Sequence, residues 1–220
     1  MKNSWVRRGM FMALSLVASA ALGNAFSGVN PAPGNLVWNG ASDGYVTVST
    51  SGGTFSTGQF QGSFDPTSEA DAFGAEADDF FRFFCVDISH AAVTGPTSYT
   101  RILGLDVFHN ATDAAELTRL FNAYYPNGAI GTYYAGGSPT AFGSFGGNAT
   151  NSAAFQLAVW EIWFDTDNNL NLSGGSFQAS PSAVTTLAQS WLNAIGNGST
   201  FAPGWTLYEF VSTNTPLSQN

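Results

Sequence analysis

The chain carries one dense aromatic run, FFRFFCVDI, at residues 80–88. Its length and its aromatic and β-branched residues favour a buried core strand over a helix. Three further strand patterns lie on either side of it, each next to Gly or Pro turn signals: residues 45–50, 54–64 and 97–105. The first half of the chain is therefore predicted to be mainly β-structure, with an acidic loop at residues 65–79.

The second half of the chain changes to a helical pattern. Apolar residues recur at helical spacing between a cap at Thr112 or Asp113 and a stop at Pro126. Further segments are predicted as a helix at residues 153–164 capped by Asn151 or Ser152, a helix at 181–195, and a last strand at 205–211. This order predicts an α+β fold, in which a mainly antiparallel β-sandwich or barrel body carries an inserted helical subdomain of about three helices.

The first residues have the three parts of a signal peptide: basic residues, an apolar run at residues 11–21 and small residues at 23–25. The apolar run is too short to span a bilayer as a lasting helix. We therefore expect residues 1–25 to be removed on export. Residues 26–220 then form one domain, because their number suits a single hydrophobic core.

The charge of the chain agrees with export and narrows the choice of partner. After residue 25 the chain has all 15 of its acidic residues, no lysine and three arginines: Arg82, Arg101 and Arg119. A surface this acidic repels nucleic acid and anionic lipid, which bind clustered Lys and Arg. The sequence therefore excludes nucleic-acid binding and membrane insertion after cleavage, and it predicts a secreted or cell-surface protein.

Cysteine usage is the most informative count in the composition. Exported proteins use cysteines in pairs, because disulfides persist outside the cytosol, but this chain has only Cys85. A single cysteine in an exported chain indicates a reactive thiol or a partner in another chain. The alternative is that Cys85 is a small buried hydrophobe, since free cysteine is among the most buried residue types.

A second unusual residue is Gln156, which lies inside the apolar run FQLAVW at residues 155–160. A buried carboxamide without a partner is costly, so the amide of Gln156 must contact another polar group. Asp87 is two residues from Cys85 and on the same side of a strand, which makes it a candidate base for the thiol.

Together, the stretches FCVD at residues 84–87 and FQLAVW at 155–160 resemble the thioester domains of bacterial surface proteins, including exported Gram-negative proteins with PEP-CTERM tails. In those domains a cysteine sulfur displaces ammonia from a glutamine side chain. The resemblance implies that Cys85 is the sulfur donor and Gln156 the acyl donor, with Ala158 and Trp160 in supporting positions.

The resemblance also implies a function for the whole domain. It would attach covalently to a protein amine or a polysaccharide hydroxyl on a partner surface. It would not be an enzyme, and it would need no cofactor and no metal.

Three other interpretations remain open from the residues. The domain is a non-covalent binding or structural module if Cys85 is unreactive and Gln156 bonds only to the backbone. It is a cysteine hydrolase if His90 or His109 meets Cys85, although no nucleophile signature surrounds that cysteine. Residues 165–169 begin like an EF-hand loop but lack its later glycine and glutamate, which favours a polar loop at the end of a helix.

Overall fold

The computed structural model describes the chain in eight segments, at residues 13–17, 32–41, 43–64, 80–88, 96–103, 111–126, 145–196 and 206–212. Within these segments it contains eight strands and three helices. The strands are β1 Ala13–Val17, β2 Ala32–Ala41, β3 Val46–Thr50, β4 Gly53–Thr57, β5 Phe60–Phe64, β6 Phe80–Cys85, β7 Pro96–Leu103 and β8 Thr206–Ser212. The helices are α1 Ala111–Tyr124, α2 Ala149–Phe164 and α3 Ala183–Gly196.

Every named strand pair in the described segments is antiparallel. Six strands follow the hydrogen-bonded order β1-β6-β5-β2-β7-β8, and β8 also pairs with β1. Strands β3 and β4 form a separate hairpin. Three helices combined with antiparallel strands confirm the predicted α+β class.

Strand β1 lies inside the segment predicted to be a signal peptide. It pairs with β6 on one side, with Ala13 opposite Cys85, and with β8 on the other. In a chain cleaved after residue 25, β6 and β8 would therefore lose this shared neighbour.

The predicted return strand at residues 54–64 is wrong as a single element, because the structure divides it into β4 and β5. The break falls at Gly58, where a Cβ atom would lie 2.7 Å from the carbonyl oxygen of Gly44. The next residue, Gln59, donates its backbone N–H to Ser152 Oγ at 2.6 Å. The close approach of α2 thus ends β4, and the chain leaves the hairpin to enter the larger sheet as β5.

The predicted helices all occur, but their starts differ from the prediction. Helix α2 begins four residues early, because its cap is Asn148, whose side chain accepts the Asn151 N–H at 3.1 Å. Helix α3 begins after Pro181, and Ser182 Oγ accepts the Thr185 N–H at 3.1 Å. The predicted caps of α2, Asn151 and Ser152, therefore lie inside that helix, and Pro181 precedes α3 instead of lying in its first turn.

Helix α2 lies at the centre of the core and is buried from Ser152 to Trp163. A helix that is apolar all round must be covered on every side. It contacts α1, α3, the β3–β4 hairpin and β6. This packing brings the middle of α2 against the end of the aromatic strand β6, where Cys85 lies.

A buried cysteine–glutamine pair as the candidate site

The structure places Cys85 and Gln156 side by side. Cys85 is the last residue of β6 and is 2% exposed, and Gln156 is in the middle of α2 and is fully buried. The backbone N–H of Cys85 donates to Gln156 Oε1 at 2.8 Å. Gln156 Nε2 donates to the backbone oxygen of Cys85 at 2.6 Å. The carboxamide therefore takes the place of a neighbouring peptide group at the end of β6.

Trp160 reaches the same backbone group as Gln156. Its indole Nε1–H donates to the Cys85 oxygen at 2.7 Å. Residues four apart lie on the same face of a helix, so α2 presents the carboxamide and the indole to β6 together. The Cys85 carbonyl consequently accepts two hydrogen bonds, one from each side chain.

The thiol itself contacts the backbone of Asp87. Cys85 Sγ donates to the Asp87 oxygen at 2.9 Å, and it accepts the Asp87 N–H at 3.3 Å. Burial raises the pKa of the Cys85 thiol well above its ordinary value; the Asp87 backbone hydrogen bond lowers this pKa, and the Asp87 negative charge raises it. The thiol is therefore protonated at neutral pH, and the Asp87 carboxylate disfavours the thiolate.

Aromatic side chains pack together in the core next to the pair. The rings of Phe84 and Phe155, the residues that precede Cys85 and Gln156, have centroids 4.7 Å apart. The Trp160 ring meets Phe55 edge to face at 5.5 Å. Phe83 instead stacks on Phe60, and the side chains of residues 80 and 81 lie outside the described part. Because Cys85 and Gln156 are both buried, water is excluded from the thiol and the carboxamide.

The remaining predicted residues are placed as follows. Ala158 is fully buried in α2, among the residues of the core. The two histidines that a hydrolase mechanism would need, at positions 90 and 109, lie outside the described residues. The structure therefore gives no histidine contact with Cys85 within its described segments.

A polar cluster that sequence patterns did not indicate lies at the start of α2. Asp43 is buried and accepts backbone N–H groups from Phe145 at 3.1 Å and Gly147 at 2.9 Å. Nearby, Gln59 Nε2 donates to the Tyr125 hydroxyl at 2.7 Å. These contacts fix the loop that precedes α2, and so they help to set the position of Gln156. No local signal marks Asp43, because its partners are about a hundred residues away in the chain.

Within the described residues, no group of three or more His, Cys, Asp or Glu side chains is arranged to hold a metal ion. Among the helices that the structure describes, none has the length and apolar character needed to cross a bilayer.

Comparison with protein-family models, with curated proteins and with solved structures finds no match to this chain. Any assignment of function therefore depends on the chemistry of the site and on the two short stretches that resemble thioester domains.

Proposed function

We propose that this chain is an exported thioester-type domain in which Cys85 and Gln156 form an internal cross-link. Cys85 Sγ attacks the side-chain carbonyl carbon of Gln156. The carbon–nitrogen bond breaks, the thiol proton goes to the leaving nitrogen, and ammonia departs. A nucleophile on a partner surface later attacks the same carbon and returns Cys85 to the thiol.

The observation that carries the proposal is the double hydrogen bond between the Gln156 carboxamide and the Cys85 backbone. It holds the carboxamide beside the Cα atom of the residue whose sulfur attacks. Fixing two reactants in contact replaces a bimolecular encounter with an oriented one, which lowers the barrier substantially.

The hydrogen bond from Trp160 to the Cys85 carbonyl oxygen also supports the proposal. When ammonia leaves, Gln156 loses the nitrogen that donates to the Cys85 oxygen. A buried carbonyl without a donor costs about 1–3 kcal/mol. The indole of Trp160 already donates to that oxygen, so the carbonyl keeps a partner through the reaction. This role accounts for a tryptophan four residues after the glutamine.

The surroundings favour survival of a thioester once it forms. Water is kept from the bond by the burial of both residues in the core. The chain beyond residue 25 has no lysine whose amine would consume the thioester. The raised pKa of the Cys85 thiol means that formation requires proton removal, which fits a slow, single reaction better than turnover.

The proposal also covers the architecture of the domain, its location and its partner. We infer that the antiparallel strands form the sandwich or barrel body and that the three helices form the inserted subdomain that supplies Gln156. The mature protein is secreted or held at the cell surface. Its partner bears a protein amine or a polysaccharide hydroxyl, and the protein acts without a cofactor and not as an enzyme.

A second candidate function is a non-covalent extracellular module. It is favoured by the same hydrogen bonds, because the Cys85 backbone already satisfies both polar atoms of the Gln156 carboxamide. In that case Gln156 is a structural side chain that caps the end of β6, and Cys85 is inert.

Intact mass of the purified mature protein distinguishes the two candidates. The thioester predicts a mass lighter than calculated by one ammonia. Methylamine would then attack the thioester carbonyl carbon, which leaves residue 156 as a methylamide and Cys85 as a free thiol. Peptide mapping should place that change at Gln156 and not at Gln59, which is an equally buried glutamine and serves as an internal control. A full calculated mass, with Cys85 open to alkylation only after denaturation and no change with methylamine, would support the non-covalent module.

A further inference from the structure

The last turn of α2 contains a buried carboxylate for which the structure gives no hydrogen-bond partner. Glu161 is fully buried, and neither of its side-chain oxygens accepts a hydrogen bond within the described residues. Asp165 is 7% exposed, and its Oδ2 is likewise without a partner. Buried ionised carboxylates are very costly unless a cation or a proton neutralises them.

The two carboxylates belong to one cluster. Asp165 follows Glu161 by four residues, so both side chains lie on the same face at the end of the helix. Burial and then the negative charges of Asp165 and Asp167 raise the pKa of Glu161 to about 8. The backbone N–H of Asn171 lowers the pKa of Glu161. This N–H donates its hydrogen bond to the Asn169 oxygen and not to the Glu161 carboxylate. Glu161 therefore faces the loop that begins at Asp165.

No basic side chain in the described segments neutralises this cluster. Arg119 contacts Glu116 in α1 at 3.8 Å and the Ile195 backbone oxygen in α3 at 3.0 Å. Arg82 lies near Tyr125 and Asp43. The carbonyl end of α2 adds partial negative charge to the same place, since helix C-termini attract cations. Three independent features of the cluster thus favour a positive ion: unpartnered buried oxygens, adjacent carboxylates and the end of a helix.

We propose that Glu161 and Asp165, together with oxygens of the loop at residues 166–171, bind a calcium ion. Calcium takes six to eight oxygen ligands in flexible geometry, including backbone and amide carbonyls and water. Two carboxylates completed by neutral oxygens suit a weak extracellular site, with a Kd of about 0.1–1 mM. The site differs from an EF-hand, because its first carboxylate is on the helix and not in the loop. The proposal does not depend on the thioester.

The experiment is thermal unfolding of the mature protein, stripped with chelator and then measured with calcium. At 10 mM CaCl₂ the ion is about 10- to 100-fold above such a Kd, which corresponds to a rise in Tm of roughly 3–10 °C. NaCl at equal ionic strength serves as the salt control. Glu161→Gln should abolish the calcium-dependent rise and should fold at least as well without calcium, because a buried amide needs neither a cation nor a proton to neutralise it.

Two further variants make the test decisive. Glu116→Gln is the matched control, since Glu116 is also a buried helical glutamate but is paired with Arg119; its calcium response should equal that of the unmodified chain. Asp165→Asn retains an Oδ1 that can accept from Ser176 N and Oγ, as Asp165 does at 3.0 and 2.7 Å, and it should lose most of the response. An unchanged response in Glu161→Gln, or no response of the unmodified chain beyond that of NaCl, would overturn the proposal.

Discussion

The hydrogen bonds at Cys85 make a quantitative prediction for a double-mutant cycle. The background is Cys85→Ala, which keeps the backbone N–H and carbonyl at position 85 and removes any thioester chemistry. In that background, Gln156→Leu takes away the acceptor of the position-85 N–H and one of two donors to its carbonyl. An orphaned buried N–H costs about 1–3 kcal/mol, so we expect a loss near 2 kcal/mol.

The hydrogen bond lost in Trp160→Phe should lower the free energy of unfolding less than Gln156→Leu does, because Gln156 still donates to the carbonyl at position 85. The double variant leaves that carbonyl with neither donor. It should therefore lose about 1–2 kcal/mol more than the sum of the single losses. Urea unfolding followed by far-UV circular dichroism measures each free energy of unfolding without depending on tryptophan emission.

A matched control exists in the same core. Gln59→Leu removes a buried glutamine whose side chain donates to the Tyr125 hydroxyl, whereas Trp160 donates to the Cys85 oxygen. Ser152, which contacts Gln59, is eight residues from Trp160, or about 12 Å along the helix. The pair Gln59→Leu and Trp160→Phe should be additive to within about 0.5 kcal/mol. If the pair Gln156→Leu and Trp160→Phe is equally additive, the shared carbonyl does not couple them and the reasoning fails.

Three further predictions concern other parts of the domain. In chelator, the free energy of unfolding should fall as pH rises from 5 to 9. The pKa of Glu161 is about 8 in the folded chain, whereas its ordinary value is 4.5. The stability that protonated Glu161 contributes is therefore complete below pH 4.5 and is lost as the pH rises through 8. The ceiling is on the order of 4 kcal/mol before solvent screening, and Glu161→Gln should remove that part of the slope in urea titrations. Asp43→Ala should cost about 2–3 kcal/mol, because two backbone N–H groups before α2 lose their acceptor; faster amide exchange there is the readout. Gly175→Ala should destabilise more than Gly146→Ala in thermal melts. Both glycines have positive φ, but only at Gly175 would the new Cβ meet the Asp165 carboxylate.

Local patterns predicted the elements that carry strong, continuous signals. Residues 80–85 of the aromatic run form β6, as its composition indicated, and the strand ends at Cys85, three residues before the run does. The apolar run around Gln156 forms the central helix, and the cost of burying its carboxamide correctly required a polar partner. These inferences succeed because burial and hydrogen-bond satisfaction constrain a residue wherever the rest of the chain lies.

Local patterns did not predict the features that depend on contacts between distant segments of the chain. The break at Gly58 depends on Gly44 and Ser152, and nothing in the strand pattern contains that information. The cap of α2 was misplaced because several polar residues precede the helix and only packing selects Asn148. No local pattern marks Glu161 either, because a glutamate beside a tryptophan in the sequence gives no sign that its side chain is buried.

The two candidate functions differ most clearly in what they require of Trp160. In the thioester form, Gln156 has lost its nitrogen and the indole is the donor that remains to the Cys85 carbonyl. Trp160→Phe should then lower Tm more in the chain with Cys85 than in the Cys85→Ala background, where Gln156 still donates. The extra loss is that of an orphaned carbonyl, about 1–3 kcal/mol, or roughly 2–10 °C in a domain of this size. Equal losses in the two backgrounds, measured in samples whose masses have been checked, would mean that Gln156 keeps its amide and that the pair serves to hold β6 against α2.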